Sequence, residues 1–266
     1  MLSDRPITAS LAAVAALFLM ARAGEAAPCG NSAAGFDAWK AAFATEARAQ
    51  GIGEAGISAL MATHYNTATI YADRGMKSFH LSLPAFMAKR GGATIAARGR
   101  KLKQSNAALF ASIQNRYGVP PGPLIAIWGM ETAFGAEHGN QQALSAVATL
   151  AYDCRRPQFF TDQLYAALKL VDAGRMSGET RGAMQGEIGQ TQFLPKTMLE
   201  FGVGDLDTAS GALSSTANFL KAHGWQAGAG YQPGEANFAA IQAWNAATVY
   251  EQAIAIIGKQ IDGGDM

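Results

Sequence analysis

The stretch Ile127-Trp128-Gly129-Met130-Glu131-Thr132-Ala133-Phe134-Gly135 places one carboxylate inside an apolar run that is flanked by aromatic residues. Pro120 and Pro121 precede this run, and proline suits the first turn of a helix. We therefore predict a helix that begins at Pro121 and carries Glu131 near its C-terminal end.

Glu131 is the residue of this stretch that is able to do acid–base chemistry. On the predicted helix, Ile127, Trp128 and Phe134 share a face with Glu131. Apolar neighbours disfavour the charged carboxylate and raise its pKa, as a general acid requires. The competing interpretation is a buried glutamate paired with a cation, for which Arg155 and Arg156 are the candidates.

The composition favours a helical protein. The chain has 266 residues, of which 49% are hydrophobic, and it is rich in alanine and glycine. Apolar residues recur at helical spacing in several segments, including one long helix that we predict over 94–116. Gly51 to Gly56 matches G-x-G-x-x-G, but because it follows a helical pattern we interpret it as a helix junction.

The charge pattern gives no global indication of nucleic-acid binding, since the formal net charge is +1. Between Arg74 and Arg116 the chain has nine basic residues and no acidic one. This run is either a solvated helix surface or a face that meets an anionic polymer. The four histidines are scattered without a metal-binding spacing, and no G-x-S-x-G or phosphate-binding loop is present.

The N-terminus has the layout of a secretory signal peptide. Leu11 to Ala21 is a short apolar core, and small-x-small cleavage motifs follow it. A retained anchor or a buried helix is the alternative. Pro28 directly before Cys29 argues against a lipoprotein. We therefore expect residues 1–27 to be removed on export.

The two cysteines, Cys29 and Cys154, are an even pair. In an exported protein such a pair favours a disulfide over two separate buried thiols. A bridge between them would tie the mature N-terminus to the middle of the chain.

Two further motifs suit a sugar ligand. Gly186 to Pro195, "GEIGQTQFLP", is a glycine- and amide-rich loop, and Trp244-Asn245 is followed by Tyr250. Amides can bind hydroxyl and acetamido groups, while aromatic faces cover the C–H side of a sugar ring. Each motif alone is equally compatible with a turn and core aromatics.

Taken in order, the motifs resemble the B-type lytic murein transglycosylases, a branch of the lysozyme-like superfamily. The similar segments cover nearly all of the chain after the signal peptide: "YGVPPGPLIAIWGMETAFG" (117–135), 146–153, "RRPQFF" (155–160), "GQTQFLP" (189–195), "STANFLKAHGW" (215–225) and "WNAATVY" (244–250). The resemblance implies a mainly α, lysozyme-like catalytic domain over 105–266, preceded by an N-terminal helical lobe over 28–104.

The resemblance also implies a function. The family cleaves the bond between N-acetylmuramic acid and N-acetylglucosamine in periplasmic peptidoglycan and leaves anhydromuramic ends. Glu131 matches its single catalytic acid and base, Gln192 a glycan-contacting glutamine, and Asn245 and Tyr250 its C-terminal substrate-site pair. The expected partners are glycan strands, with other cell-wall enzymes as candidates, for a monomer that needs no cofactor.

This sequence departs from the family pattern in two places. Ala183 stands where several relatives carry a serine beside the catalytic glutamate, and Asp205 and Asp207 are too few for a dedicated calcium loop, so we predict no metal site. Two alternatives stay open. One is a hydrolytic muramidase with Glu187 or Asp153 as a second carboxylate, and the other is a non-catalytic peptidoglycan-binding protein.

Overall fold

The structure, a computed structural model, describes residues 28–75 and 81–263. Within these residues the chain forms thirteen α-helices, one short 3₁₀ helix at Ala33–Gly35 and a two-stranded antiparallel sheet. The helices are α1 (Phe36–Ala49), α2 (Glu54–Met61), α3 (Thr67–Gly75), α4 (Leu83–Arg90), α5 (Gly92–Ser105), α6 (Ala107–Tyr117), α7 (Pro121–Thr132), α8 (Ala143–Tyr152), α9 (Pro157–Asp172), α10 (Pro195–Phe201), α11 (Ala209–Ala222), α12 (Phe238–Trp244) and α13 (Thr248–Asp262). The strands are β1 (Gln141–Gln142) and β2 (Arg181–Gly182).

Helix α7 lies at the centre of the molecule. It begins at Pro121 and ends at Thr132, as predicted, and it is apolar all round because it is buried on nearly every side. Its first turn meets α13 so closely that a Cβ on Gly122 would lie 2.3 Å from the carbonyl oxygen of Gly258. The Gly122 N–H also donates to the carboxylate of Asp262 at 2.9 Å. The C-terminal helix is thereby fixed against the helix that carries Glu131.

The N-terminal helices pack directly on the remainder of the chain. Asp172, at the end of α9, accepts the N–H groups of Gly53 and Gly56, both at 2.7 Å, and so satisfies free donors at the start of α2. The predicted helix junction at Gly51 to Gly56 is confirmed, since α1 ends at Ala49 and α2 begins at Glu54. Helix α5 packs on α7 and α13.

The single helix predicted over 94–116 was wrong. The structure has two helices there, α5 and α6, separated at Asn106, whose φ of −118° and ψ of 31° are not helical. The Asn106 side chain donates to the carbonyl of Leu102 at 3.0 Å. Asparagine competes for backbone groups in this way, which explains why the helix breaks here.

A disulfide joins Cys29 to Cys154, with their Cα atoms 5.1 Å apart. Beside it the Gly30 N–H donates to the carbonyl of Tyr152 at 2.9 Å. The start of the described chain is therefore tied to the turn between α8 and α9. The predicted signal peptide, residues 1–27, lies outside the described residues. Across 28–75 and 81–263, the structure has no helix with the length and apolar character needed to cross a membrane.

Candidate active site

Glu131 opens onto a cavity of about 310 Å³ between α7, the loop before α10 and the C-terminal helices. The carboxyl group is partly exposed to this cavity and otherwise surrounded by protein. The lining combines aromatic rings, amides and a second carboxyl: Glu131, Glu187, Gln192, Phe193, Leu194, Thr197, Phe219, Ala243, Trp244 and Asn245. Such a mixture of apolar walls and a few convergent polar groups is typical of a ligand site.

Two donors from the C-terminal segment hold the same oxygen of Glu131. The Tyr250 hydroxyl donates to Oε1 at 2.8 Å, and the Trp244 indole N–H donates to Oε1 at 3.1 Å. Within the described part of the chain, no hydrogen-bond donor reaches Oε2. The second oxygen is therefore the one available to exchange a proton with a ligand.

The surroundings of Glu131 act on its pKa in opposite directions. Burial raises the pKa, and the charge of Glu187 raises it further, whereas the two donors and the charge of Arg90 lower it. Burial is the largest contribution, so the pKa of Glu131 lies above its usual range. The same site thus favours a protonated acid and still provides donors for the carboxylate that forms when the proton leaves.

The competing interpretation, an ion pair between Glu131 and Arg155 or Arg156, was wrong. Arg155 binds the buried carboxylate of Asp73 at 2.6 Å, and Arg156 binds the other oxygen of Asp73. The charge beside Glu131 instead comes from Arg90, which donates to the carbonyl of Met130 at 3.1 Å and lies 5.8 Å from the ring centre of Tyr250.

The end of α7 is held in an unusual backbone conformation. Ala133 and Phe134 have φ values of 50° and 64°, in the left-handed region that non-glycine residues rarely adopt. The Thr132 hydroxyl fixes this turn, because it donates to the carbonyl of Gln190 at 2.6 Å and accepts the Gly135 N–H at 2.9 Å. Strained residues of this kind persist where the surrounding contacts over-determine them, often at functional sites.

The loop before α10 packs against the turn at the end of α7. Gln190 accepts the Trp128 indole N–H at 2.9 Å, and its own side-chain amide donates to the carbonyl of Asp207 at 2.6 Å. Gln192, with a φ of 56°, lines the cavity while its amide donates to the carbonyl of Gly189 at 2.9 Å. These bonds fix the loop beside the end of α7.

The other two predicted site residues, Asn245 and Tyr250, take different positions relative to the cavity. Asn245 lines it, and its side-chain oxygen accepts the Ala247 N–H at 3.0 Å at the start of α13. Tyr250 is only 3% exposed and lies against the Glu131 carboxyl instead of lining the cavity. The family resemblance grouped Tyr250 with the substrate contacts, and in the structure its hydroxyl binds the Glu131 carboxyl.

Of the two candidate second carboxylates, Glu187 lines the cavity with Glu131. Asp153 does not, since it is buried and bound by Arg74 at 2.5 Å.

Ala183 has no hydroxyl, and its backbone N–H donates to the carbonyl of Glu187 at 2.8 Å. In the described residues, no group of three or more His, Cys, Asp or Glu side chains is placed to hold a metal ion.

Three contributors to the site were missed by sequence reasoning: the Trp244 indole N–H, Gln190 and Arg90. Trp244 and Tyr250 lie 113 and 119 residues from Glu131 in the chain, so no local spacing connects them. Trp244 had been identified as aromatic surface only. The side-chain amide of Gln190 was visible in the "GQTQFLP" motif, but nothing in that motif indicated Trp128 as its partner.

The family profile of the transglycosylase SLT domain matches residues 35–235, about three quarters of the chain. This chain belongs to the transglycosylase SLT-domain family. It is 35% identical over 121 residues to membrane-bound lytic murein transglycosylase B of Escherichia coli K12. That match spans 42% of this chain and 34% of the relative, about a third of its length.

Solved structures of the family share the fold. SltB3 of Pseudomonas aeruginosa, crystallised with NAG-NAM-pentapeptide, superposes with a TM-score of 0.80 at 26% identity, covering 88% of this chain and 81% of that one. SltB1 from the same organism superposes with a TM-score of 0.75 at 19% identity, covering 84% and 97%. The expectation of a mainly α, lysozyme-like transglycosylase fold is confirmed.

Proposed function

We propose that this member of the family is a lytic transglycosylase that cleaves the bond between N-acetylmuramic acid and N-acetylglucosamine in peptidoglycan. The observation that carries the proposal is Glu131 itself. It is a partly exposed carboxyl with a raised pKa, open to a sugar-sized cavity and held through one oxygen by two donors. Family membership supports the same assignment.

In the first step, protonated Glu131 donates its proton from Oε2 to the leaving glycosidic oxygen. The substrate's own acetamido oxygen attacks the anomeric carbon as the glycosidic bond breaks, and a cationic cyclic intermediate forms. Such substrate assistance is a recognised exception to the two-carboxylate rule of glycosidases. Tyr250 and Trp244 stabilise the carboxylate that Glu131 becomes in this step.

In the second step, ionised Glu131 takes the proton of the muramic acid C6 hydroxyl. That oxygen attacks the anomeric carbon, and the bond to the acetamido oxygen breaks. An anhydromuramic end forms, Glu131 carries its proton again, and no water is consumed. One carboxyl therefore serves as acid and then as base.

The substrate assignment draws on the cavity and on the relatives. Gln192 and Asn245 present amides to the cavity, and amides pair with the hydroxyl and acetamido groups of amino sugars. The SltB3 structures were solved with NAG-NAM-pentapeptide and with NAG-anhNAM-pentapeptide. We assign the corresponding glycan strands to this chain as its substrate and Gln192 and Asn245 as contacts.

The place of action follows from the same substrate. Peptidoglycan lies outside the cytoplasmic membrane, so the enzyme has to be exported, and residues 1–27 have the pattern of a cleaved signal. The disulfide between Cys29 and Cys154 suits an oxidising compartment. We assign the mature chain to the periplasm, as a monomer with the two lobes 28–104 and 105–266.

The test is mass spectrometry of purified peptidoglycan after digestion by the mature chain, beside Glu131→Gln. Anhydromuramic ends from the wild type and none from the variant are the expected result. Reducing ends would instead favour a hydrolytic muramidase, for which the presence of Glu187 in the same cavity is the supporting observation. Binding to peptidoglycan without any product would leave a non-catalytic binding protein.

A further inference from the structure

Glu187 is a second carboxyl in the cavity of Glu131, and the backbone fixes its position. It follows β2 in a tight turn, where the Ala183 N–H donates to the Glu187 carbonyl at 2.8 Å and the Gly186 N–H donates back to Ala183 at 3.1 Å. Gly186 has a φ of 87°, and a Cβ there would lie 2.4 Å from Val147 on α8. The turn is thus closely packed, which restrains the backbone at the point from which Glu187 lines the cavity.

The carboxyl of Glu187 is held by backbone donors alone in the described part of the chain. The Gln185 N–H donates to Oε2 at 3.0 Å, and the Glu187 N–H also contributes. No lysine or arginine among the described residues lies within ion-pair distance of the Glu187 carboxyl. The nearby cation, Arg156, is bound to Asp73 instead. Glu187 is partly buried, and a carboxylate withdrawn from water without a side-chain partner is costly unless a ligand completes its hydrogen bonds.

The substrate of the proposed reaction has a group that can bind the Glu187 carboxylate, the acetamido N–H of the sugar. When the acetamido oxygen attacks the anomeric carbon, positive charge develops on the acetamido group and its N–H becomes a strong donor. An ionised carboxylate accepts hydrogen bonds only, so it matches this N–H and opposes the developing charge. Gln192 and Asn245 are neutral amides and are unable to supply that charge.

We propose that Glu187 is a second catalytic carboxyl of this site, which accepts a hydrogen bond from the acetamido N–H of the sugar being cleaved and stabilises the cationic intermediate. The inference rests on the proposed function. Glu131 still transfers both protons, and Glu187 makes no covalent bond and acts in its carboxylate form. Glu131 has just lost its proton at this stage, so two carboxylates, Glu131 and Glu187, then oppose the positive charge of the sugar.

The two carboxyls also act on each other. Glu187 raises the pKa of Glu131, together with burial, against the charge of Arg90 and the donors Tyr250 and Trp244. Burial raises the pKa of Glu187 itself, against the backbone donors of Glu187 and Gln185 and the charge of Arg156, which lower it. Removing the charge of Glu187 therefore lowers the pKa of Glu131. Since Glu131 has to be protonated at the start, activity should then be lost at a lower pH.

The experiment measures kcat, KM and the pH profile of Glu187→Gln on a soluble muropeptide tetrasaccharide, with anhydromuramic product as the readout. Glutamine keeps an acceptor for the Gln185 N–H, so the turn is preserved. We expect kcat to fall roughly 10- to 100-fold, as for the loss of one hydrogen bond to a charged group, KM to change less than about threefold, and the upper pH limit of activity to move down. Glu179→Gln, which removes an exposed carboxylate of the same segment, is the matched control.

A kcat and upper pH limit like those of the wild type, or an effect confined to KM, would refute the role of Glu187. If Glu187→Gln does not fold by circular dichroism, Glu187→Ala with added formate replaces it. Restoration of product formation by formate supports a carboxylate role, and folded but unrescued enzyme contradicts it. Reducing ends from the wild type would refute the proposed function itself, whatever the Glu187 variants do.

Discussion

Replacing Tyr250 by phenylalanine tests how the site handles the charge of Glu131. The change removes the hydroxyl that donates to Oε1 at 2.8 Å and leaves the Trp244 donor in place. The ring packs against Phe86, 5.9 Å between centroids, and below the guanidinium of Arg90. The hydroxyl also forms a side-chain hydrogen bond with Arg90, which the change removes. The ring contacts remain, so the helix positions should be preserved.

The magnitude follows from the charge of the acceptor. A hydrogen bond to a charged group is worth about 1.5–3 kcal/mol, against about 0.5–1.5 kcal/mol for a neutral pair. Because Glu131 is protonated before the first step and ionised at its end, the bond strengthens during that step. If the transition state carries most of that charge, the loss of about 1–1.5 kcal/mol corresponds to a fall in kcat of roughly 5- to 13-fold.

The same loss changes the pH profile with a definite sign. Tyr250 lowers the pKa of Glu131, so its removal raises that pKa further. The acid form of Glu131 then persists to higher pH, and the upper limit of activity moves up. This direction is opposite to that expected for Glu187→Gln, although both changes lower kcat.

The assay is the initial rate of anhydromuramic product formation on a soluble muropeptide between pH 4 and 9. Tyr231→Phe is the matched control, because Tyr231 also donates to a carboxylate, Asp262, at 2.8 Å but lies outside the cavity. It should keep the wild-type kcat. A folded Tyr250→Phe enzyme with wild-type kcat and an unshifted pH profile would refute the reasoning.

Two further predictions concern stability. Burial raises the pKa of Glu131 in the folded state, so the native state binds more protons than the unfolded state and loses stability as pH rises from the usual glutamate range through that raised pKa. Glu131→Gln lacks this loss. Its free energy of unfolding should exceed that of the wild type by on the order of 1 kcal/mol at pH 7 and match it near pH 4. Urea denaturation at both pH values measures this, and equal stability at pH 7 contradicts it. Replacing Cys29 and Cys154 by serine removes a disulfide that spans a sequence separation of 125 residues. The free energy of unfolding in the same assay should fall by about 2–5 kcal/mol, while kcat at 25 °C is kept. An unchanged urea midpoint contradicts the structural role of the disulfide.

The parts of the fold that could be predicted from sequence are those set by local chemistry. Pro121 fixes the start of α7, and the apolar run that follows fixes its burial, so Glu131 was correctly placed near the helix end. The break at Asn106 was missed because the hydrophobic spacing continues across it. One side chain that binds the backbone outweighs the pattern there.

The partners of Glu131 could not be predicted because each depends on long-range packing. Arg155 and Arg156 were plausible cations for it, but Asp73, about 80 residues earlier in the chain, binds both. The basic run from 74 to 116 likewise divides among unrelated partners. Arg74 binds Asp153, Arg90 binds a backbone carbonyl, Arg98 lies over Phe134, and Lys103 reaches Asp262.

The site combines two requirements that conflict in a single carboxyl. A general acid needs surroundings that oppose ionisation, and the base it becomes needs surroundings that accept the charge. Burial and Glu187 meet the first requirement, whereas Tyr250 and Trp244 meet the second through one oxygen only. Because the donors are already in place before the proton leaves, little reorganisation is needed when it does. Different neighbours of Glu131 therefore raise and lower its pKa. A substitution that lowers the rate can shift the pH range of activity up or down, depending on which neighbour it removes.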